Sequence, residues 1–153
     1  MGRFALKRLV RRIDLEKNLL QVEPHPSPKA YLEQYTIPPN IAAEILFTAA
    51  YIYDDINGKI VADLGCGTGR LAIGAVLLGA AEAVGVDIDK EAILVAKKNA
   101  EKLGVKEKTE WVAADTGVLC GNFSTVLQNP PFGVQRKGAD QKFIKKSLEL
   151  GHR

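Results

Sequence analysis

The sequence predicts an α/β fold built on an open, mostly parallel sheet with helices on both faces. Three observations carry the prediction. Short apolar, β-branched runs alternate with segments of helical period, the pattern of strands joined by crossover helices. One such run, Lys59-Ile60-Val61-Ala62, breaks into Asp63-Leu64-Gly65-Cys66-Gly67-Thr68-Gly69 and resumes as the apolar helical stretch Leu71 to Leu78, which is the first half of a βαβ unit. The four strand ends then read Asp63, Asp87, Asp115 and Asn129, and ligands of such sheets gather at the carboxyl ends of the strands.

The chain has 153 residues, 46% hydrophobic and 25% charged, enough for one buried core. We divide it into residues 1–36, a basic N-terminal helix with an extended segment after it, and residues 37–153, the sheet domain. No apolar run reaches the roughly 20 residues of a membrane span, so a cytoplasmic location is expected. Cys66 and Cys120 form no CxxC pair, which argues against a zinc site and makes both ordinary buried thiols. The formal charge of +3 proves no polyanionic partner. Its distribution is more informative: Arg3, Lys7, Arg8, Arg11 and Arg12 crowd one end, and Arg136, Lys137, Lys142, Lys145 and Lys146 the other. Two basic ends suit a nucleic acid, and they equally suit solvated helix faces.

In chain order, Leu6, Leu9, Val10 and Ile13 predict a short amphipathic helix over Phe4 to Ile13. Glu23-Pro24-His25-Pro26-Ser27-Pro28 cannot be helix or central strand and predicts an extended connector. His25 and His152 have no partners at ligand spacing and are read as non-catalytic. After Pro38-Pro39, Asn40 can cap a helix whose buried stripe is Ile41, Ile45, Thr48, Ala49 and Ile52. The glycine loop and its apolar helix follow. A second strand, Ala83 to Val86, ends in Asp87-Ile88-Asp89, with Asp89 as cap of a helix bearing Ile93, Ala96, Ala100 and Leu103. Thr109 to Ala113 is a third strand, and Phe123 to Gln128 a fourth ending in Asn129-Pro130-Pro131-Phe132. A last helix runs from about Asp140 to Leu150.

A dinucleotide site asks for G-x-G-x-x-G facing a pyrophosphate. Here the third glycine of that spacing is replaced by Arg70, and Asp63 would repel phosphate while attracting an ammonium or sulfonium. The ligand is therefore expected to be a cationic nucleoside. Asp87, 24 residues beyond Asp63, is placed to reach ribose hydroxyls, and Asp115 to accept from an adenine amine. Asn129 with the Pro130 carbonyl could accept both hydrogens of a planar amine, while two prolines fix the backbone and Phe132 offers a stacking face for a flipped base.

The Asp63–Gly69 stretch resembles the first motif of class I S-adenosylmethionine-dependent methyltransferases, whose fold is Rossmann-like. The resemblance implies that Asp63 with Gly65, Cys66, Gly67 and Gly69 holds the methionine end of S-adenosyl-L-methionine, that Asp87 with its neighbour Ile88 holds the ribose, and that Asp115 holds the adenine. Asn129-Pro130-Pro131-Phe132 resembles the catalytic motif of enzymes that methylate planar amino nitrogens. Leu32 to Thr36, the Gly-Val-Asp-Ile-Asp around Asp87, and Gln135 to Asp140 narrow the resemblance to the methyltransferase-like protein 5 family, whose members methylate N6 of an adenosine in ribosomal RNA.

That resemblance implies that Gln34, Tyr35 and Thr36 fold over the cofactor. It also implies RNA as partner and, in some members, a small zinc-binding activator protein. Family members continue with further strands after the last helix, so the chain is expected to be a truncated form with an uncovered sheet edge prone to self-association. Two other readings stay open. One is a protein glutamine N5-methyltransferase, whose Asn-Pro-Pro motif usually carries Tyr in the fourth place. The other is a cofactor-binding fragment without activity.

Overall fold

The computed structural model describes residues 9–32, 34–131 and 137–152. Its sheet is four parallel strands in the order β3-β2-β1-β4, with β1 Ile60–Leu64, β2 Glu82–Asp87, β3 Thr109–Ala113 and β4 Thr125–Gln128. Helices α1 Arg12–Leu19, α2 Pro39–Tyr51, α3 Arg70–Leu77, α4 Lys90–Lys102 and α5 Ala139–Leu150 flank it. Alternation along the strands divides the core in two. Val61 and Ala83 pack with Leu15, Leu19, Leu46, Ile73 and Ala100 on the face of α1 to α4, whereas Ala62, Leu64 and Val86 pack with Leu150 and Phe143 of α5 on the other. Helices on both faces of a parallel sheet are what the alternating pattern predicted.

Two helical expectations are corrected. Much of the helix predicted over Phe4 to Ile13 lies outside the described residues, and Leu9 to Arg11 are not helical. Arg11 is extended (φ −72°, ψ 144°) and its guanidinium clamps Asp14 at 2.7 and 2.9 Å, so α1 begins one residue later and buries Leu15 and Leu19, with Leu9 and Ile13 outward. In α2 the buried side is Ala42, Ala43, Leu46 and Ala50, while Ile41, Ile45 and Ile52 face solvent. Size decides this against hydrophobicity. α2 lies so close to α3 that Leu46 occupies the place a Cβ of Gly74 would need. The alanines permit that approach, and the bulkier isoleucines would prevent it.

The carboxyl ends of the strands are shaped by Trp111 of β3. In register, Asp63 pairs with Gly85 and Gly85 with Trp111. The indole lies across Gly85 and reaches under the glycine loop: a Cβ on Gly85 would sit 2.5 Å from Trp111 Cζ3, and one on Gly69 2.5 Å from Cη2. Cys66 is buried, but Cys120 is exposed, against the expectation that both are buried. β4 is an edge strand. Beyond it a parallel bridge joins Phe123 to Gly151, with Phe123 N donating to Leu150 O and His152 N to Phe123 O. Among the described residues no helix is long and apolar enough to cross a membrane.

The packing of Trp111 predicts the cost of filling Gly85. Gly85→Ala should destabilise the fold by about 1–3 kcal/mol, the usual range for overpacking, as measured by urea unfolding. In a Trp111→Val background the same Gly85→Ala change should cost less.

Candidate functional site

The site begins with the loop after β1. Gly65, Gly67 and Gly69 have φ of +67°, +54° and +92°, a left-handed backbone that residues with a Cβ adopt at a cost, which is why glycine recurs at every second position. Gly65 N and Cys66 N both donate to Val86 O, tying the loop to β2. Gly69 then starts α3, and Arg70 turns away from the strand ends. Its Nε, Nη1 and Nη2 donate to the carbonyls of Leu19, Ile37 and Val22, closing the end of α1 and the start of the α2 segment over the loop. Burial lowers its pKa. The Arg70 charge thus goes to backbone carbonyls, not to a phosphate.

Asp63 is buried at the end of β1. Its Oδ2 accepts from Ala72 N at 3.1 Å, and its Oδ1 has no hydrogen-bond partner among the described residues. Burial, opposed by the Ala72 amide and aided by the nearby Asp87, pushes its carboxyl up to about 8. Asp87 accepts from Gly67 N (2.8 Å) on one oxygen and from Asp89 N (2.9 Å) on the other. Its pKa is raised by burial, with those two amides opposing.

Asp89 caps α4 as predicted, accepting from Glu91 N at 2.9 Å. Its second oxygen does more. Oδ2 meets Gln34 Nε2 at 2.7 Å, His25 Nε2 at 2.9 Å and Lys29 Nζ at 3.3 Å. Burial raises the Asp89 pKa, but the Gln34, His25, Glu91 and Lys29 donors outweigh it and hold the carboxylate well below its usual range. The extended connector from His25 is thereby a strap laid over the strand ends. Asn99, buried on α4, fastens the strap's beginning: it accepts from Glu23 N and donates to Glu23 O and Thr68 O.

The resulting cleft is walled by Gln34, Tyr35 and Thr36 of the strap, by Asp63, Gly65, Cys66 and Gly67, by Asp87 and Ile88, and by Asp115, Asn129 and Pro131. These predicted residues are brought together. Gly69 stands behind the wall against Trp111, and Pro130 does not line the cleft. Phe132 lies outside the described residues. The Gln34 carboxamide is engaged at both ends, since its Oε1 accepts from Lys29 N at 2.6 Å. Asp115 accepts from Gly117 N and pairs with Lys142 Nζ at 2.6 Å. Asn129 donates through Nδ2 to the Tyr35 carbonyl, 3.4 Å away.

Sequence reasoning missed the anchoring roles of His25, Arg70 and Asn99, and the cleft walls Lys142 and Phe143. Only Asn99 carried a signal, a polar side chain at the spacing of the buried stripe Ala92, Ala96 and Ala100. Phe143 lies against Gly65, where a Cβ would approach its ring to 2.7 Å. As a receptor the cleft fits a cationic nucleoside. It offers an orphaned, buried carboxylate oxygen at one end and a second carboxylate at the next strand end. No described cation answers Asp63.

The unanswered carboxyl gives a pH dependence. The folded carboxyl of Asp63 holds its proton up to about 8, whereas the unfolded chain releases it near 3.8. Between those values the folded state binds more protons, so stability falls as pH rises, by up to about 1.4 kcal/mol per pH unit. Asp87, shifted the same way, adds to the trend. Urea midpoints from pH 5 to 8 should fall, and Asp63→Asn should flatten most of the slope.

Comparison with known proteins agrees with this geometry. A family model described as ribosomal protein L11 methyltransferase (PrmA) matches residues 49–129. The uncharacterized protein MJ0284 of Methanocaldococcus jannaschii is 44% identical over 94% of this chain and 68% of its own length. The rRNA N(6)-adenosine-methyltransferase METTL5 of Danio rerio is 39% identical over 90% of this chain and 68% of its own. The crystal structure of PH1948 from Pyrococcus horikoshii, a candidate RNA methyltransferase, superposes with a TM-score of 0.86 at 42% identity, covering 94% of this chain and 70% of that one. Solved neighbours of this fold carry S-adenosylmethionine or S-adenosylhomocysteine, and S-adenosylmethionine is the cofactor that the cleft's carboxylates fit. The chain belongs to the METTL5 family of class I S-adenosylmethionine-dependent RNA methyltransferases.

Proposed function

We propose that the chain methylates N6 of an unpaired adenosine in ribosomal RNA, with Asn129 and the Pro130 carbonyl holding the amine. The observation that supports this most directly is the orientation of Asn129 in the cofactor cleft. Its Nδ2 is turned to the Tyr35 carbonyl, which leaves Oδ1 as an acceptor for an incoming amine. The Pro130 carbonyl, on the next peptide, is the second acceptor. An exocyclic amine delocalises its lone pair into the ring. Two acceptors on its hydrogens favour a geometry in which that lone pair points at the methyl group, a gain of positioning and electrostatics.

Bound S-adenosylmethionine supplies a methyl group made electrophilic by its sulfonium. The Asp63 carboxylate receives the ammonium of the methionine end on its orphaned Oδ1, Gly65, Cys66 and Gly67 lie along that end, and Asp87 accepts from the ribose hydroxyls beside Ile88. Asp115 takes the adenine amine when Lys142 gives way. The target adenosine must leave its stack to reach Asn129. Exposed Lys137 and Lys145 follow this motif in the sequence and offer contacts to RNA phosphates.

Similarity to ribosomal protein L11 methyltransferases favours a protein substrate as the second reading. The family model of those enzymes covers residues 49–129 and individual members align over 56 residues, 37% of the chain, whereas the Danio rerio METTL5 match spans 90%. The longer match includes the strap, which the family model beginning at residue 49 does not reach. On the family's pattern a small zinc-binding activator adds a strand to an edge of the sheet, and self-association would use the outer edge of β4. A cytoplasmic location accords with ribosomal RNA as substrate.

The test is transfer of labelled methyl to small-subunit ribosomal RNA, followed by nucleoside analysis. Asn129→Ala should lower transfer by about a hundredfold or more while calorimetry shows S-adenosylmethionine binding within a few-fold of wild type. Equal loss of binding and transfer would remove Asn129 from the proposed role. Label in a release factor's glutamine, with none in RNA, would favour the protein reading, and cofactor binding without transfer to either would leave a binding module.

A further inference from the structure

We infer that Asp89 is a positioning residue for methyl transfer: its carboxylate latches the strap over the cofactor cleft and, through Gln34 and Tyr35, sets the orientation of Asn129. Helix capping alone does not explain this side chain. A cap uses one oxygen, and Oδ1 supplies it to Glu91 N. The other oxygen lies buried, with three donors from three positions of the strap converging on it: His25, Lys29 and Gln34. A buried carboxylate is costly unless its lone pairs are answered, so the strap is required by Asp89 as much as Asp89 by the strap.

The latch is specific in its hydrogens. Ser27 N donates to His25 Nδ1, so that nitrogen is an acceptor and the imidazole's hydrogen is on Nε2, aimed at Asp89. Gln34 bridges two points at once, taking Lys29 N on its oxygen and giving its amide hydrogen to Asp89. The next residue, Tyr35, presents its carbonyl to Asn129 Nδ2. In the other direction, Asp89 N donates to Asp87 Oδ1, and Asp87 Oδ2 accepts from Gly67 N. One continuous set of hydrogen bonds therefore runs from the glycine loop through Asp87 and Asp89 to the strap and on to the amine acceptor. Asp89 stands at its centre and touches neither the cleft's contents nor the reacting atoms.

The inference rests on the proposed role of Asn129 for its catalytic half, while the latch itself stands independently. Asp89→Asn separates capping from latching, because asparagine caps helices as well as aspartate but presents an NH2 group toward three donors. Hydrogen exchange should rise in Asp89→Asn over residues 25–36 more than over β1 to β3, while the thermal midpoint falls by a few degrees. Affinity for S-adenosylmethionine should fall severalfold and kcat for RNA methylation by tenfold to a hundredfold. Gln34→Leu, which leaves the α4 cap intact, should reproduce both the exchange and the kcat effects.

In an Asn129→Ala background, Asp89→Asn should lower kcat little further yet still weaken cofactor binding, since the two act on kcat through one path. Unchanged exchange over 25–36 overturns the latch whatever the enzyme's substrate. Raised exchange with unchanged kcat overturns the positioning role. Full transfer by Asn129→Ala alone overturns the Asn129 reading and the catalytic half with it, leaving the latch to be judged by exchange and binding.

Discussion

The structure depends on a backbone that can pass over Trp111 without side chains. Gly65, Gly67 and Gly69 run left-handed, Gly69 and Gly85 hold the indole between them, and any added Cβ at these two would collide with it. That close approach brings the start of α3 against β2 and seats Ala72 N on Asp63. It also places Thr68 O where Asn99 reaches it, so that α4, the loop and the strap meet at one amide. The cleft exists because this corner is packed more tightly than side chains at the glycine positions would allow.

Around that corner the fold uses buried polar groups as ties. Arg70, Asn99 and Asp89 each join segments far apart in sequence, and all three direct their donors or acceptors at the stretch between α1 and α2. This stretch has four prolines and few apolar residues to bury, so hydrophobic packing alone would not hold it. Hydrogen bonds to buried charged groups are each worth about 1.5–3 kcal/mol, and removing one partner leaves the other unsatisfied. The strap is therefore ordered by a few strong polar contacts. Such contacts suit a segment that must lie over a ligand, since they fix position without filling the cleft.

The sheet, its strand ends and the acids at three of them were legible in the sequence, because period and glycine spacing report local backbone needs that tertiary packing did not override. β3 falls on the predicted Thr109 to Ala113, and α3 is buried all round as its composition required. What was not legible depended on contacts between distant residues. The buried side of α2 was misassigned because the isoleucines are the more hydrophobic choice. The alanines are inside because Leu46 must enter the notch at Gly74, a fact no single helix contains. His25 looked idle inside a proline run because its partner, Asp89, lies 64 positions away. Lys142 and Phe143 had no motif to mark them, being brought to the cleft only by the packing of α5 across Gly65 and Asp115.

Two acids at neighbouring strand ends, Asp63 and Asp89, show how environment divides one chemical type into different roles. Asp89 is surrounded by donors and keeps its charge, so it can act as a fixed structural anion. Asp63 lies in a dry corner with a single amide and an unanswered oxygen, and burial there favours the neutral acid near neutral pH. A cationic ligand reverses that preference. Binding an ammonium at Asp63 stabilises the carboxylate and so couples cofactor entry to loss of a proton. The weakness of the unliganded site is then the source of its selectivity: a neutral or anionic nucleoside leaves Asp63 as costly as before, and a cation removes the cost.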